Sequence, residues 1–577
     1  MLPLPTTRWQ MPYKEVKEHV LHARKLGLHP LLCRILINRS IGSPDDVEKY
    51  LYPALKDLRN PFLMKDMKKG VDRIVKAIRN AERIFIYGDY DADGITSLVT
   101  LYKFLTDLGA SVSWYLPERI REGYGLNSSA VDIMRAKGAS LLITVDCGVS
   151  NYDEIAYADS IGLDTIVLDH HEVPQTLPPA IAVINTNRSD CLFPFKPLAG
   201  VGIVFNFLIA LRSTLQEIGF WKKETYPNLK EYLDLVALGT IGDVCPLIDE
   251  NRIFVKFGLE QINQGKRIGL NALRKVCGVS DSPIDSFIAS YQLIPRINAA
   301  GRVASAETAI RLLLTDDILE AGFLANQLDE YNRTRQIMER SIFAEITEEI
   351  AKTSDLRDMS AIVLASEHWH PGVIGIVASR LAELYYRPSL LISLRDGIGK
   401  GSGRSIPAFN LHEGLAQCGS LLLAHGGHRY AAGISIKEEQ IQDFSDLLSE
   451  IVRSKVAPAD FIPSTTIDAY CQLQEIDLYL LKQLEFLEPF GNMNPEPIFL
   501  TKNISLSFPS VVGNNHLKMR IKNERAAYGS IWFGKGSYLS ALPDTDSKLD
   551  IVFTPQRNDW NGNTSIQLKI RDLAVSA

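Results

Sequence analysis

The sequence predicts an α/β protein, in which two α/β lobes are joined by a long helix around a cleft and a C-terminal OB-like β-barrel follows. After a mixed helical lead-in to about residue 80, short apolar, β-rich runs lead into segments of helical period, a pattern typical of parallel α/β sheets. Apolar residues recur at three- and four-residue steps between about 316 and 352, which predicts one helix. After about residue 460, apolar and cationic residues alternate, which predicts half-buried strands.

Acidic residues and histidines follow the predicted strands of the first lobe. Three apolar runs, RIFIY (83–87), LLITV (141–145) and TIVL (165–168), are each followed by such residues. Because the crevice of an open α/β sheet lies at the carboxyl ends of its strands, these side chains are expected to meet in one cleft. A further segment, YLDLVALGTIG (232–242), predicts a helix that ends near Gly239, with a loop that returns to the same rim. The side chains concerned are Asp89, Asp91, Asp93, Asp146, Asp169, His170, His171 and Asp243.

These clusters predict a divalent-metal site. Carboxylates crowded as closely as those of DYDADG (89–94) stay ionised together only when cations or positive dipoles compensate them. An EF-hand loop would need a preceding helix and a glutamate where Thr100 stands, and a Rossmann turn would need glycines in place of these acids. The simpler alternatives are that a single aspartate caps a helix, and that Asp169 caps His171 in a solvated loop.

Glycine-rich segments in the second lobe indicate phosphate binding. GSGRS (401–405) and GGHRYAAG (426–433) combine glycine backbones with the donors Ser402, Arg404 and His428. Glycine allows a backbone to approach closely, and arginine forms charge-assisted hydrogen bonds to phosphate oxygens. The alternative is that these glycines form tight turns that pack on the sheet.

The tail predicts a small β-barrel with a cationic outer face. Apolar residues at 517, 519 and 521 alternate with Lys518, Arg520 and Lys522, and residues 566–571 repeat the alternation. Asn561-Gly562 is a hairpin signal before the last strand, and an OB-type barrel accommodates such strands. The nearby rings are the type that stack on the bases of a single strand, or alternatively they belong to the core. They are those of Trp532, Phe533 and Trp560.

The composition excludes several classes of protein. The chain has 577 residues, of which 46% are hydrophobic and 23% charged, so it is long enough for several ordinary globular domains. Its net charge is −6, so any binding of nucleic acid has to come from local basic patches. Seven cysteines without a CxxC pair argue against a zinc site and a disulfide framework, and favour a reducing cytoplasm. Signal-peptide features are missing from the first residues, and no apolar run approaches the roughly 18 residues of a membrane-spanning helix.

The acidic motifs resemble those of the DHH phosphoesterase superfamily. PRINAAGR (295–302), GSGRS and GGHRYAAG resemble the RecJ branch of this superfamily, and the resemblance covers most of the chain from about Leu31 onwards. It implies five segments, listed here with their residues. They are an N-terminal helical lead-in (1–80), a DHH catalytic domain (81–315), a connecting helix (316–353), a DHHA1 substrate-binding domain (354–458) and an OB-fold single-strand-binding domain (459–577).

The resemblance implies a 5′ to 3′ exonuclease that hydrolyses single-stranded DNA to mononucleotides with two metal ions, and that acts in DNA repair and recombination. The implied ligands are Asp91 and Asp146 for one ion, and Asp93, Asp146, His170 and Asp243 for the other. His171 would donate to the phosphate, and Asp89 would complete or tune the first set of ligands. Oxygen ligands with one imidazole suit Mn²⁺ or Mg²⁺ better than zinc, and we expect manganese to support the best activity.

The resemblance and the glycine-rich motifs together imply a set of residues that hold the substrate. Ser402 and Arg404, with Arg296 or Arg302 of PRINAAGR, would bind the terminal 5′-phosphate, and His428 would contact the scissile phosphate. The full set of predicted phosphate- and DNA-binding residues is Arg121, Tyr124, Arg296, Arg302, Ser402, Arg404, His428, Lys518 and Arg520.

Two alternative functions stay open at this point. A DHH-type phosphatase or phosphodiesterase acting on oligoribonucleotides, pyrophosphate or cyclic dinucleotides would use the same metals, although such substrates require neither the basic tail nor PRINAAGR. A catalytically inactive DNA-binding scaffold is free to lose its metal ligands, whereas this chain contains all of them. The expected partners are single-stranded DNA, a single-strand-binding protein and a helicase, and we expect a cytoplasmic monomer.

Overall fold

A five-stranded parallel sheet forms the centre of the first lobe. In order across the sheet, its strands are Val112–Tyr115, Ile84–Gly88, Leu141–Val145, Asp164–Leu168 and Ala182–Ile184. The structure is a computed structural model, and it describes residues 7–11, 27–119, 122–123, 125–221, 226–353, 359–543, 547–560 and 563–576.

Helices cover both faces of this sheet. Along the strand Ile84–Gly88, Ile84 and Ile86 pack into one buried cluster, while Phe85 and Tyr87 pack into another on the opposite face. Because both faces are buried, the strands are apolar throughout instead of alternating with polar residues. The helices of the lobe are Met67–Arg79, Ala92–Asp107, Ser128–Ala136, Tyr152–Ser160, Gly200–Glu217, Leu233–Gly242, Asp249–Gln264, Ile268–Val276, Ser286–Ile288, Ile294–Val303 and Glu307–Leu314, with a π-helical segment at Ala289–Leu293.

The helix before Asp243 is longer than the sequence predicts. We expected it to end near Gly239, but it runs over Leu233–Gly242, and Asp243 is its C-cap residue. Gly239 does not terminate the helix; it allows a close approach, because a Cβ atom there would lie 2.4 Å from Thr96 Oγ1 and 2.8 Å from Asp93 Oδ1. The helix axis therefore carries Asp243 directly to the rim, without an intervening loop.

Gly239→Ala is expected to lower the free energy of unfolding by about 1–3 kcal/mol, because the added methyl group overpacks the contact with Thr96 and Asp93. Gly322→Ala is the matched control, since this helical glycine has no atom within 4 Å of its Cβ position. That substitution is expected to raise stability by about 0.5–1 kcal/mol through helix propensity. Urea unfolding curves of the two variants measure both changes, and equal stabilities would contradict the close approach.

The predicted connecting helix is confirmed, since one helix runs over Ile318–Thr353. Near its start, Leu324 and Leu328 pack into the core of the first lobe. Near its end, Ile342, Ile346 and Ile350 pack into the core of the second lobe. A single rigid element thus contributes to both cores.

The second lobe is a mixed five-stranded sheet with helices. In order across the sheet, the strands are Leu422–Gly427, Ala431–Lys437, Ile398–Arg404, Ser389–Arg395 and Ile362–Ser366, and only the last two pair in parallel. The helices are Ile374–Tyr385, Leu411–Gln417 and Ile441–Lys455. Together with the first lobe, this sheet confirms the predicted α/β fold class with two lobes.

The chain divides into two compact units. The larger one contains both lobes and consists of the described residues of Leu55–Lys455 together with Gly491–Asn494. The smaller one consists of the described residues of Met1–Ala54, Val456–Phe490 and Pro495–Ala577. Within the described parts of the chain, no helix has both the length and the apolar character needed to cross a membrane.

A closed five-stranded barrel forms the centre of the smaller unit, as predicted. Its strands in order are Phe499–Val512, His516–Lys522, Ala527–Trp532, Asn563–Val575 and Leu549–Trp560, and the last pairs with the first. The remaining elements of the unit are the helices Pro30–Asn38, Pro44–Leu51 and Leu478–Leu484, the strand pair Arg8–Gln10 and Ser464–Thr466, and the short strand Ala469–Tyr470.

The outer face of the barrel is cationic, as the alternation predicts. Along His516–Lys522, Leu517, Met519 and Ile521 are buried, whereas Lys518 and Arg520 are exposed.

Aromatic residues of the barrel divide between core and surface. Trp532 is 2% exposed and belongs to the core, so the second of the two alternatives holds for this ring. Phe533 is 47% exposed, and Phe508, which the sequence analysis did not select, is 81% exposed. The side chain of Trp560 and the pair Asn561-Gly562 lie outside the described residues.

Candidate active site

The first acidic loop turns directly from the strand Ile84–Gly88 into the helix Ala92–Asp107. Asp91 is the N-cap of this helix, because its Oδ1 accepts hydrogen bonds from the backbone N–H groups of Asp93 at 2.9 Å and Gly94 at 3.1 Å. The capping role that is possible for a lone aspartate is therefore real here. Since a carboxylate has two oxygens, capping and metal ligation are compatible.

Asp93 lies two residues further along, in the first turn of the helix, and is buried. Its Oδ2 accepts a hydrogen bond from the backbone N–H of Gly200 at 2.6 Å, and its Oδ1 accepts one from Val201 at 2.9 Å. These two groups begin the helix Gly200–Glu217, whose N-terminal dipole favours the negative charge. A second helix thus fixes the orientation of this carboxylate.

Four predicted metal ligands converge from separate elements: three carboxylates lie around the ring of the fourth ligand, His170. Its Nε2 lies 3.1 Å from Asp146 Oδ1, 3.8 Å from Asp243 Oδ2 and 3.9 Å from Asp93 Oδ2. On the other side of Asp146, one oxygen from each of Asp89, Asp91 and Asp146 lies within 4.8 Å of the others. Asp146 is therefore common to two adjacent groups of donors.

The electrostatics of this cluster require a cation. Burial, and then the charges of neighbouring carboxylates, raise the pKa of Asp89 to about 8 and the pKa values of Asp93 and Asp146 well above the usual range. Asp89 Oδ1 and His170 Nε2 are buried atoms without a hydrogen-bond partner among the described residues. Divalent ions would compensate the charges and give each of these atoms a partner, so the residues fit a metal centre.

Asp169, to which the sequence analysis assigned no ligand or catalytic role, holds His171 in place. Asp169 Oδ1 lies 2.7 Å from His171 Nδ1, and its Oδ2 accepts a hydrogen bond from the backbone N–H of Val149 at 2.9 Å. Burial acts to raise the pKa of Asp169 and to lower that of His171, but the ion pair outweighs burial in both. The pKa of Asp169 is about 2 and that of His171 about 9, so the pair is charged at neutral pH.

We expect Asp169→Asn to lower kcat by about tenfold to a hundredfold, because His171 loses the partner that orients and charges its ring. Mn²⁺ affinity should stay within about threefold, since Asp169 contacts His171 and backbone groups and is not among the predicted ligands. The kinetic comparison uses the wild type, Asp169→Asn, His171→Gln and the double variant. If Asp169 acts through His171, the double variant should have nearly the same kcat as His171→Gln alone. A double variant in which the two losses of kcat multiply would contradict this role.

Guanidinium groups form a cluster beside the acidic loop. Burial, and next the charge of Arg119, lower the pKa of Arg302 to about 10, with Arg404 acting in the same sense and Asp91 opposing them. Arg302 Nη1 donates to the Gly372 carbonyl oxygen at 3.1 Å, and Arg404 Nη1 donates to Ser402 Oγ at 3.3 Å. Half-buried cations grouped in this way are typical of an anion-binding site.

The start of the helix Ile374–Tyr385 adjoins the same cluster. A Cβ atom on Gly375 would lie 2.7 Å from Ser402 Oγ and 3.3 Å from Arg404 Nη2, so only glycine lets the helix approach these donors. A Cβ atom on Gly372 would lie 2.5 Å from the Arg302 carbonyl oxygen. The helix N-terminus adds partial positive charge to the guanidinium groups.

Comparisons with known proteins agree with these motifs. Three family models match the chain: the N-terminal domain of the DHH family at residues 83–240, the DHHA1 domain at 358–454 and the RecJ OB domain at 467–572. The chain is 37% identical to the single-stranded-DNA-specific exonuclease RecJ of Bacillus subtilis over 99% of its own length and 71% of the relative. It is 35% identical to the RecJ of Escherichia coli over 95% of its length and 96% of the relative.

The chain belongs to the RecJ family.

Solved RecJ structures place metal ions in this family. RecJ of Thermus thermophilus in complex with Mn²⁺ matches the present structure with a TM-score of 0.84 at 29% identity, covering 99% of this chain and 80% of that one. The same protein in complex with Mg²⁺ matches with a TM-score of 0.77. The acidic and histidine groups of this RecJ-family chain are thus ones that could bind Mn²⁺ or Mg²⁺.

One predicted phosphate contact of this RecJ-family chain needs correction. Arg296 does not join the guanidinium cluster, because its Nε and Nη2 donate to Asp329 Oδ1 at 2.9 and 2.8 Å and its Nη1 donates to the Gln292 carbonyl oxygen at 2.7 Å. It ties its own helix to the connecting helix. Of the two arginines in PRINAAGR, Arg302 is the one whose pKa the charges of Arg119, Asp91 and Arg404 affect.

The other predicted substrate contacts lie in different places. His428 is 54% exposed on its side chain, with its ring 6.3 Å from that of His171 and its Nδ1 3.5 Å from Glu172 Oε1. Arg121 and Tyr124 lie outside the described residues. Lys518 and Arg520 belong to the barrel unit, where they are exposed.

Two further residues of the site were missed by sequence reasoning. Arg119 lies with its guanidinium carbon 5.0 Å from the centre of the Tyr90 ring and acts on the pKa of both Arg302 and Arg404. Asn298 of PRINAAGR accepts a hydrogen bond on Oδ1 from the Ala92 backbone N–H at 2.7 Å, which fixes the acidic loop. A signal for Asn298 existed in its motif, whereas Arg119 follows no motif that we recognised.

Proposed function

We propose that this chain is a single-stranded-DNA-specific exonuclease that works from the 5′ end, releases mononucleotides, and acts in DNA repair and recombination. The observation that carries the proposal is the juxtaposition, within one compact unit, of a cluster of metal-type ligands and a cluster of half-buried guanidinium groups. Its RecJ relatives, which are named as exonucleases of this kind, support the activity and the substrate. The relatives also match the basic barrel, which a phosphatase of small molecules would not need.

In this proposal, Asp91 and Asp146 hold one divalent ion, and Asp93, Asp146, His170 and Asp243 hold a second. Such ions, when bound, supply an activated water and positive charge at the phosphoryl oxygens. The chain itself holds the ligands in place, since Asp91 is fixed by the helix that it caps and Asp93 by two backbone N–H groups. Asp89 adds a buried oxygen to the first group of donors.

The proposed role of His171 is to donate a hydrogen bond to the scissile phosphate. Its ion pair with Asp169 engages Nδ1 and raises the pKa of the ring to about 9, which favours the protonated form, and Nε2–H is the atom proposed to donate to the phosphate. His428, with its ring nearly parallel to that of His171, is proposed to contact the same phosphate.

The guanidinium cluster is the proposed pocket for the terminal 5′-phosphate. Arg302, Arg404 and Ser402 supply charge and hydrogen-bond donors, and Arg119 joins them in place of Arg296. A phosphate pocket beside the metal centre measures one nucleotide from the end of the strand, which accounts for exonucleolytic cleavage with 5′ polarity. Both lobes pack on the helix Ile318–Thr353, so a cleft between them would admit a strand with splayed bases more readily than a duplex.

The proposed division of labour follows the expected segments. The lead-in comprises residues 1–80, the DHH segment (81–315) carries out catalysis, the connecting helix comprises 316–353, the DHHA1 segment (354–458) binds the substrate, and the OB segment (459–577) binds the single strand through Lys518 and Arg520. We further propose a monomer that works with a single-strand-binding protein and a helicase. All seven cysteines are free, which supports the reducing cytoplasm as its compartment.

The proposal is tested by a time course on four oligonucleotides: single-stranded DNA with a 5′-phosphate and a 3′ label, the same strand with a 5′-hydroxyl, its duplex, and an RNA pentamer. Each is incubated with Mn²⁺, Mg²⁺ or EDTA. We expect the 3′-labelled strand to shorten stepwise, mononucleotides to appear, the duplex to resist and EDTA to stop the reaction. Cleavage in EDTA, or preferential hydrolysis of the RNA pentamer, would contradict the proposed function.

A further inference from the structure

We propose that Cys245 turns one side of the metal centre into a site for thiophilic divalent ions such as Zn²⁺, so that zinc displaces Mn²⁺ there and inhibits the enzyme. This inference rests on the proposed metal-dependent function and names a ligand of that same centre. A lone buried cysteine would not support it. What supports it is a group of three different donor atoms, from His170, Asp243 and Cys245, all within 4.8 Å of one another.

The three atoms lie near the spacing of the ligands of a small tetrahedral ion. Cys245 Sγ lies 3.1 Å from Asp243 Oδ2, and His170 Nε2 lies 3.8 Å from that same oxygen. Tetrahedral zinc, with bond lengths of about 2.0–2.3 Å, separates its ligand atoms by about 3.3–3.8 Å. Small side-chain movements would therefore place one ion within bonding distance of all three.

The backbone after Asp243 brings the sulfur to this position. The helix Leu233–Gly242 ends at Asp243, Val244 takes a left-handed conformation with φ 56°, and the Cys245 backbone N–H donates to the Thr240 carbonyl oxygen at 3.2 Å. This turn directs the thiol back to the carboxylate, and Cys245 remains 7% exposed. Val244, by contrast, points outward and is 65% exposed.

The imidazole gives an independent indication of a ligand. His170 Nε2 is buried and, among the residues that the structure describes, has no hydrogen-bond partner of adequate geometry. An imidazole nitrogen left this way, with a carboxylate and a thiol beside it, is the donor set that zinc, cobalt and cadmium prefer. Mn²⁺ and Mg²⁺ prefer oxygen ligands and gain little from a sulfur.

Among the three donors, the thiol is the group that loses a proton on binding. The Cys245 thiol, which donates its proton to Asp243 Oδ2 in the absence of the ion, releases that proton to solvent, and the sulfur and the carboxylate both bind the ion. No electrons are transferred. The occupied site holds His170 and Asp243 away from the arrangement that Mn²⁺ uses, and inhibition follows.

Co²⁺ is the probe, because a cobalt–thiolate bond gives a charge-transfer band in the near ultraviolet that oxygen and nitrogen ligands do not give. The full-length wild type, Cys245→Ser, Cys245→Ala and the matched control Cys277→Ser are titrated with Co²⁺ and then with Zn²⁺. Cys277 suits the control because its Sγ lies 3.5 Å from the Gln292 carbonyl oxygen, a contact that a serine hydroxyl preserves. Thermal unfolding and Mn²⁺ binding by electron paramagnetic resonance are recorded for each protein.

We expect the cobalt–thiolate band in the wild type and in Cys277→Ser, and we expect Zn²⁺ to remove it. Both Cys245 variants should lack the band and should still bind Mn²⁺. Zn²⁺ inhibition of the Mn²⁺-dependent nuclease should weaken by about tenfold or more in Cys245→Ser. If the wild type binds Mn²⁺ but shows no cobalt–thiolate band, the inference about Cys245 is wrong while the proposed metal centre stands. The same conclusion follows if the band survives in both folded Cys245 variants. A wild type that binds neither ion overturns the proposed metal centre as well.

Discussion

Replacing Asp146 with asparagine is expected to lower the rate of single-strand hydrolysis by more than about a thousandfold, because this carboxylate is shared by both groups of metal-type donors. Mn²⁺ binding should weaken by at least about tenfold. Asparagine has nearly the same size and tolerates the left-handed backbone that Asp146 adopts, with φ 59°, so the fold should be retained. Initial rates on 5′-phosphorylated single-stranded DNA and Mn²⁺ titrations measure the two effects.

Asp159→Asn is the matched control, since this aspartate is exposed on the same lobe and contributes to none of the donor groups. It should leave both rate and Mn²⁺ affinity unchanged. Thermal unfolding in EDTA adds a second reading, because Asp146→Asn removes one of several crowded, buried charges and should therefore unfold at a higher temperature than the wild type. Near-wild-type turnover by a folded Asp146→Asn protein would refute the metal assignment.

The parts of the site that were predictable are those that depend on local sequence. Each acidic motif follows a strand, and parallel strands end at one edge of a sheet, so Asp91, Asp146 and His170 had to approach one another once the strands were recognised. The barrel was predictable for a similar reason, because strict alternation specifies which side of each strand is buried.

The parts that failed depend on partners far away in the chain. Arg296 and Arg302 stand in one motif and are equally plausible as phosphate ligands, but Arg296 meets Asp329 of the connecting helix while Arg302 meets the loop at Gly372. Gly239 was interpreted as the end of a helix because the close approach of Thr96 and Asp93 was not visible in the sequence. For Trp532 the sequence left a surface and a core position open, and the side chain is buried.

The same reasoning explains why Asp169 and Cys245 were not selected. Asp169 was expected in the cleft without a role of its own, yet its hydrogen bonds to His171 and Val149 make it the residue that sets the charge of a proposed phosphate donor. Cys245 was set aside because no second cysteine stands near it in the chain. Its donor partners come instead from Asp243, two residues earlier, and from His170, on a different strand end.

Arg404→Gln is expected to reduce the preference for a 5′-phosphate over a 5′-hydroxyl by about tenfold to a hundredfold, which is the contribution of one or two charge-assisted hydrogen bonds. The substitution keeps a donor of similar length next to Ser402 but removes the charge that the buried pocket offers. Because Arg404 lies beside Arg302 and is not one of the proposed metal ligands, Mn²⁺ affinity should not change.

The measurement is the ratio of kcat/KM values for the two strands, determined at one ionic strength because phosphate contacts depend on salt. Arg333→Gln is the matched control, since Arg333 is 73% exposed and pairs with Asp329 on the surface of the connecting helix. It should preserve the ratio. An equal fall of kcat for both strands would mean that Arg404 contacts the scissile phosphate instead of the terminal one. If neither the ratio nor the rates change, the guanidinium cluster does not recognise the 5′ end. The guanidinium cluster and the predicted metal ligands belong to one compact unit. Because binding by the barrel would be equal for both strands, it cancels in the ratio of their kcat/KM values, and the ratio reports on the guanidinium cluster.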